Sequence, residues 1–95
     1  MNRLVLSARL EERGALRYTP AGLPALDLSL AHESEVSHEG QVRKVSMQVK
    51  SLVIGQLVGT LDNLPLGSEA VFGGFLAPAR NGRGLLFHIT EWARP

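Results

Sequence analysis

The chain is expected to fold as an all-β domain, a five-stranded closed barrel with a short helix or irregular crossover between strands 3 and 4. Three observations lead there. Five segments have extended character, most with apolar residues set two apart, and polar or glycine-bearing breaks separate them. The stretch between the third and fourth segments follows neither the strand nor the helix period cleanly. The fourth segment carries Gly73-Gly74, which permits the sharp bend a closing sheet needs. With 95 residues, one domain spanning 1–95 is expected. A core of this size leaves room for a partner subunit to add stability.

The first strand is "RLVLSARLEE", with Leu4, Leu6, Ala8 and Leu10 on one face. Arg3, Ser7, Arg9 and Glu11 lie on the other, with Val5 among them. Gly14 ends it, and "ALRYT" continues the pairing into a turn at Thr19-Pro20-Ala21-Gly22. Proline sets φ there and glycine allows a positive φ. The second strand, "LPALDLSLAH", turns Leu26, Leu28 and Leu30 inward and Asp27 and Ser29 outward. "ESEVSHEG" is polar, ends in Gly40 and reads as a loop.

"QVRKVSMQVK" is the third strand, with Val45, Met47 and Val49 as its core face and Lys44, Ser46, Gln48 and Lys50 opposite. Val42 is out of phase, which suggests a bulge near Arg43. In "SLVIGQLVGTLDNLPLGS", Gly55 and Gly59 each weaken a helix by about 1 kcal/mol relative to alanine. "EAVFGGFLA" is the fourth strand, "PARNGRG" a loop, and "LLFHITEW" a fifth strand with apolar residues on both faces. This order matches an OB-fold barrel. A small open β-sandwich is the alternative.

Composition excludes several function classes. The absence of cysteine removes disulfide and thiolate chemistry and fits a reducing cytosol. The opening "MNRLVLSARL" lacks a leader's apolar core and cleavage site. No apolar run approaches the roughly 20 residues of a membrane helix, so no membrane association is expected. His32, His38 and His88 do not have metal-ligand spacing. No nucleophile elbow, phosphate loop or dinucleotide fingerprint occurs. Asp27 reads as a plain surface residue, and no acid–base pair stands out. Neither catalysis nor a cofactor is expected.

The cations carry the positive expectation. A net charge of +1 says little, but the distribution says more. Arg17 and Tyr18 precede the first turn, Arg43, Lys44 and Lys50 lie in the third strand, and Arg80 and Arg83 flank Asn81-Gly82. OB-folds bind oligonucleotides on the face of strands 2–3, bordered by the loops between strands 1–2 and 4–5. Arg17, Lys44, Lys50, Arg80 and Arg83 are therefore expected around one groove, with Arg17 on phosphate and Tyr18 offering a ring for stacking. The alternation in the first strand also leaves a pairable edge, and a symmetric dimer is expected there.

"NRLVLSA", "YTPAGLPALDLSLAHES", "GFLA" and "NG" before "HITEW" stand in this order between Asn2 and Trp92. Together they resemble the primosomal replication protein N (PriB) family, of the single-stranded DNA-binding protein-like OB-folds. The resemblance implies a homodimer joined through the first strands, here Arg3, Leu4, Val5 and Leu6. It implies binding to single-stranded DNA and to the restart helicase PriA, whose unwinding it would stimulate in primosome assembly at stalled forks. In some bacteria it implies a DnaT-like helicase-loading partner. The setting implied is the cytoplasm, at the nucleoid.

Matched by motif, Arg17, Arg43 and Arg80 retain the family's cations, and His32 stands with them. Ser46 and Gln41 replace two family aromatics, and Glu33 replaces a basic residue. At about 1–3 kcal/mol per stacked base, the expected DNA binding is weak. A protein-interaction module on the same barrel, with incidental nucleic-acid binding, is the competing expectation.

Overall fold

The computed structural model describes all 95 residues, Met1–Pro95. In chain order they form β1 (Leu4–Arg13), β2 (Arg17–Tyr18), β3 (Pro24–His38), β4 (Gln41–Ile54), α1 (Leu57–Leu61), β5 (Glu69–Pro78) and β6 (Leu85–Ala93). The hydrogen-bonded order is β1-β5-β6-β4-β3-β2, and β1 also pairs with β3, which closes the barrel. β4 and β6 run parallel, and the remaining pairs are antiparallel. This is the expected OB-fold, with the two-residue β2 as a prelude to β3.

Strand alternation builds the core. Leu10, Leu26, Leu30, Val53, Phe72 and Phe87 are fully buried, while Asp27, next to Leu26, is exposed. The β5–β6 pairing shifts register between Gly73 and Gly74, where Thr90 of β6 is the extra, bulged residue. A Cβ on Gly74 would overlap the His88 backbone carbonyl, so only glycine allows this approach.

The crossover is a single helical turn after Gly55, whose φ of 92° favours glycine. Val58 and Leu61 face the core. Arg13 of β1 donates from Nη1 to the carbonyls of Leu61 (3.3 Å) and Leu64 (2.6 Å), at the end where a helix leaves carbonyls unpaired. No helix is long and apolar enough to cross a membrane.

The structure departs from expectation in the second hairpin. Glu33–His38, expected in a loop, continue β3. Pairing with β4 is unbroken from Ala25–Ile54 to His38–Gln41, so there is no bulge at Arg43. The turn is Glu39-Gly40, with φ of 53° and 75°, the positive pair that two-residue hairpin turns favour. Polarity hid this strand because the hairpin projects beyond the barrel and both its faces meet water. Val36, Val42 and Met47 are exposed, and of the expected core face only Val49 packs against the core. The arm stretches the molecule to 50 Å and its radius of gyration to 14.1 Å, against about 12.4 Å for a compact chain of this length.

Candidate nucleic-acid interface

The turn before β3 is held by Thr19 N–H donating to the Leu23 carbonyl, by Leu23 N–H donating to Thr19 Oγ1, by Gly22 N–H donating to the Thr19 carbonyl, and by a φ of 86° at Gly22. It lays β2 beside the start of β3, with Arg17 opposite Ala25. Arg17 thereby shares the outer face with Asp27. Across the β3–β4 ladder, Asp27 pairs with Leu52 and Ser29 with Lys50. The β5–β6 loop is compact: Gly82 N–H donates to the Ala79 carbonyl, and Arg83 N–H donates to Asn81 Oδ1 at 2.9 Å. Arg80 and Arg83 project from it.

These three segments meet in one open concavity of about 450 Å³, whose charged lining is Arg17, Asp27, Lys50, Arg80 and Arg83. Leu52 and Leu86 add an apolar floor. Four cations and one carboxylate give it net positive charge. The arrangement suits a flexible polyanion with some apolar surface, since phosphate contacts supply charge neutralisation and the floor admits less polar groups.

Asp27 is not the plain surface residue that its position in the sequence suggests. Arg17 donates to it from two nitrogens, Nε to Oδ2 at 2.9 Å and Nη2 to Oδ1 at 3.1 Å. The hydrogen bond to Arg17 holds the Asp27 carboxyl below the usual carboxylate range, with the charges of Arg17 and Arg80 acting in the same direction and partial burial opposing them. The Arg17 guanidinium is raised in turn, chiefly by the same bond.

The other expected binding residues lie elsewhere. Tyr18 is 65% exposed, but consecutive strand residues face opposite ways, so it does not line the concavity with Arg17. Arg43 falls on the opposite face of β4 from Lys44 and Lys50. Lys44 shares the outer face with Lys50 but sits about 20 Å along the arm, paired with Glu35. Ser46 lies between them opposite Glu33, so the outer face of the arm carries carboxylates where stacking rings were expected to be missing.

His32 is buried, on the inward face with Leu28 and Leu30. Its Nδ1 lies 2.6 Å from the Ser7 carbonyl and must donate to it, which leaves Nε2 to meet the Ser34 hydroxyl at 2.8 Å. It ties β3 to β1 and offers nothing to a ligand on the outer face.

Of the expected dimer residues, Leu6 is buried and Leu4 packs against the core, Val5 points outward at 53% exposure, and Arg3 pairs with Glu91 at 2.6 Å. β1 pairs with β5 from Leu4 to Arg9, but with β3 only from Arg9 onward. The second edge of Leu4–Ala8 thus has no strand partner.

Over residues 2–91 the chain matches a family described as another single-strand binding protein family. It is similar to the replication restart protein PriB of Bordetella pertussis, with 54% identity over 80 residues, 84% of this chain and 75% of that protein. Among solved structures, PriB from Ralstonia solanacearum is similar with a TM-score of 0.89 and 34% identity, covering 99% of this chain and 97% of that one. A deletion mutant of the single-stranded DNA binding protein from Thermus aquaticus is similar with a TM-score of 0.75 and 26% identity, covering 97% of this chain and 49% of that one.

Proposed function

The chain belongs to the single-strand binding protein family, among the replication restart proteins PriB, and from that membership we propose that it is a noncatalytic DNA-binding protein of replication restart. Its work is to hold single-stranded DNA in the concavity of Arg17, Lys50, Arg80 and Arg83 while engaging a PriA restart helicase and stimulating its unwinding. The observation that carries this reading is the convergence of cations from β2, β4 and the β5–β6 loop on one concavity.

Weak binding follows from the same features. Asp27 offsets part of the charge, and the outer face of the arm bears Glu33 and Glu35 with Ser46 between flanking polar residues. The open edge of Leu4–Ala8 supports a symmetric homodimer through β1, since an unpaired strand edge is a template for a second copy. Assembly with a DnaT-like loader and action at the nucleoid in the cytoplasm complete the reading.

The test is DNA unwinding by the restart helicase of the same organism, measured with and without the purified protein. A higher unwinding rate is expected, together with oligonucleotide binding that weakens steeply with salt, by about 0.7 log units per log unit of salt for each phosphate contact. An unchanged unwinding rate overturns the helicase role. The exposed Val36, Val42 and Met47 on the arm favour a second reading, a protein-interaction module with incidental DNA affinity. Negligible oligonucleotide binding, with helicase stimulation intact, would select it.

A further inference from the structure

The chain has five aromatic residues, and the structure disposes of four in other ways. Phe72 and Phe87 are wholly buried, and Trp92 packs against the core. Tyr18 stands outside the cationic concavity. Phe75 remains, 39% exposed on the outer face of β5. Its cross-strand partner on β6 is His88, and the two rings stack, with centroids 4.8 Å apart and planes inclined by 12°. His88 is in turn level with Leu52 of β4, which lines the concavity. Leu52, His88 and Phe75 therefore form one row across three neighbouring strands, about 10 Å from end to end.

A stacked pair of rings on the wet face of a sheet contributes nothing to the core, which lies on the other face. Beside the cationic concavity, it has the shape and chemistry of a platform for a planar ring. We propose that Phe75, backed by His88, is a nucleobase-stacking site that continues the cationic concavity. A single strand whose phosphates meet Arg80 and Lys50 lays a base against Phe75. This rests on the single-strand-binding reading above. It places the chain's stacking surface on β5–β6, away from the β3–β4 arm, where Gln41 and Ser46 supply no ring.

The test uses the full chain and a labelled oligothymidylate, titrated by fluorescence anisotropy over a range of salt. Phe75→Ala is expected to weaken binding about five- to 150-fold, the value of one stacked base, with an unchanged salt slope because no phosphate contact is lost. Phe75→Tyr keeps a planar ring and is expected to bind like the wild type. An otherwise identical abasic strand is expected to bind both Phe75→Ala and the wild type equally weakly. Wild-type affinity in Phe75→Ala overturns the platform while leaving the DNA-binding reading intact. An equal loss in Phe75→Ala on the abasic strand also overturns it, by showing a structural effect. No binding by the wild type to any strand removes the underlying reading, and the platform with it.

Discussion

Arg17 and Asp27 form a two-point bond, Nε to Oδ2 at 2.9 Å and Nη2 to Oδ1 at 3.1 Å, joining β2 to β3 inside the cationic concavity. Such forked geometry is what a guanidinium offers equally to a carboxylate or to a phosphate. On the proposed function, Asp27 occupies the place a phosphate would take at Arg17, and a bound strand would compete with it.

Replacing Asp27 by asparagine removes that competitor and keeps the side chain's shape. Oligonucleotide affinity at moderate salt is expected to rise about two- to fivefold, the scale of one exposed ion pair, with a salt slope steeper by about 0.7. Equal or weaker binding, measured by anisotropy, would show that Arg17 does not meet the DNA.

The same bond makes a small pH-dependent contribution to stability. The folded Asp27 carboxyl lies below its ordinary value of about 3.9, so its contribution is complete above that value and disappears as pH falls through the folded one. Both side chains are more than a third exposed, which limits the contribution to under about 1 kcal/mol. Urea unfolding of the wild type and Asp27→Asn should therefore differ slightly at neutral pH and converge in acid. A difference that persists in strong acid would trace the effect to something other than this ion pair.

Arg80 and Arg83 are held by a compact loop and make no side-chain bonds within the chain. Reversing both to glutamate is expected to leave the unfolding midpoint nearly unchanged. It should make the salt slope of DNA binding shallower by about 1.4, for two lost phosphate contacts. Retention of the full slope would locate the DNA path elsewhere.

His32 gives the opposite pattern. Truncation to alanine leaves the Ser7 carbonyl without its donor and opens space beside Leu30, at an expected cost of about 1–3 kcal/mol in stability. DNA affinity of the folded protein should not change. A variant as stable as the wild type, yet deficient in binding, would return His32 to the interface.

Much of the barrel was legible in the chain. Leu26, Leu28 and Leu30 are separated by Asp27 and Ser29, and this pattern leaves a strand only one way to face its core. Gly73-Gly74 marked the close approach of β5 to β6, opposite the β6 bulge. The β3 half of the arm escaped detection because Glu33–His38 carry no apolar stripe. A hairpin wet on both faces has no hydrophobic period, and only its pairing with Gln41–Ser46 identifies it as strand.

The residues expected to bind DNA divide in the same way. That Arg17, Lys50, Arg80 and Arg83 border one groove is what the strand order implies, whereas Lys44, expected with them, lies out along the arm. That Tyr18 and Arg43 face away, and that His32 lies inside, depended on the pleat at each position. The bond from Asp27 to Arg17, and the stack of Phe75 on His88, had no signal in the sequence.

Alternation and turn chemistry are properties of neighbouring residues, so the chain alone determined the strands of the barrel proper and the barrel they close. Which charges oppose one another and which rings meet is set by register between strands far apart in the sequence. Hydrogen bonding across the sheet decides that register, and with it the partial neutralisation of the concavity by Asp27 and the row from Leu52 to Phe75.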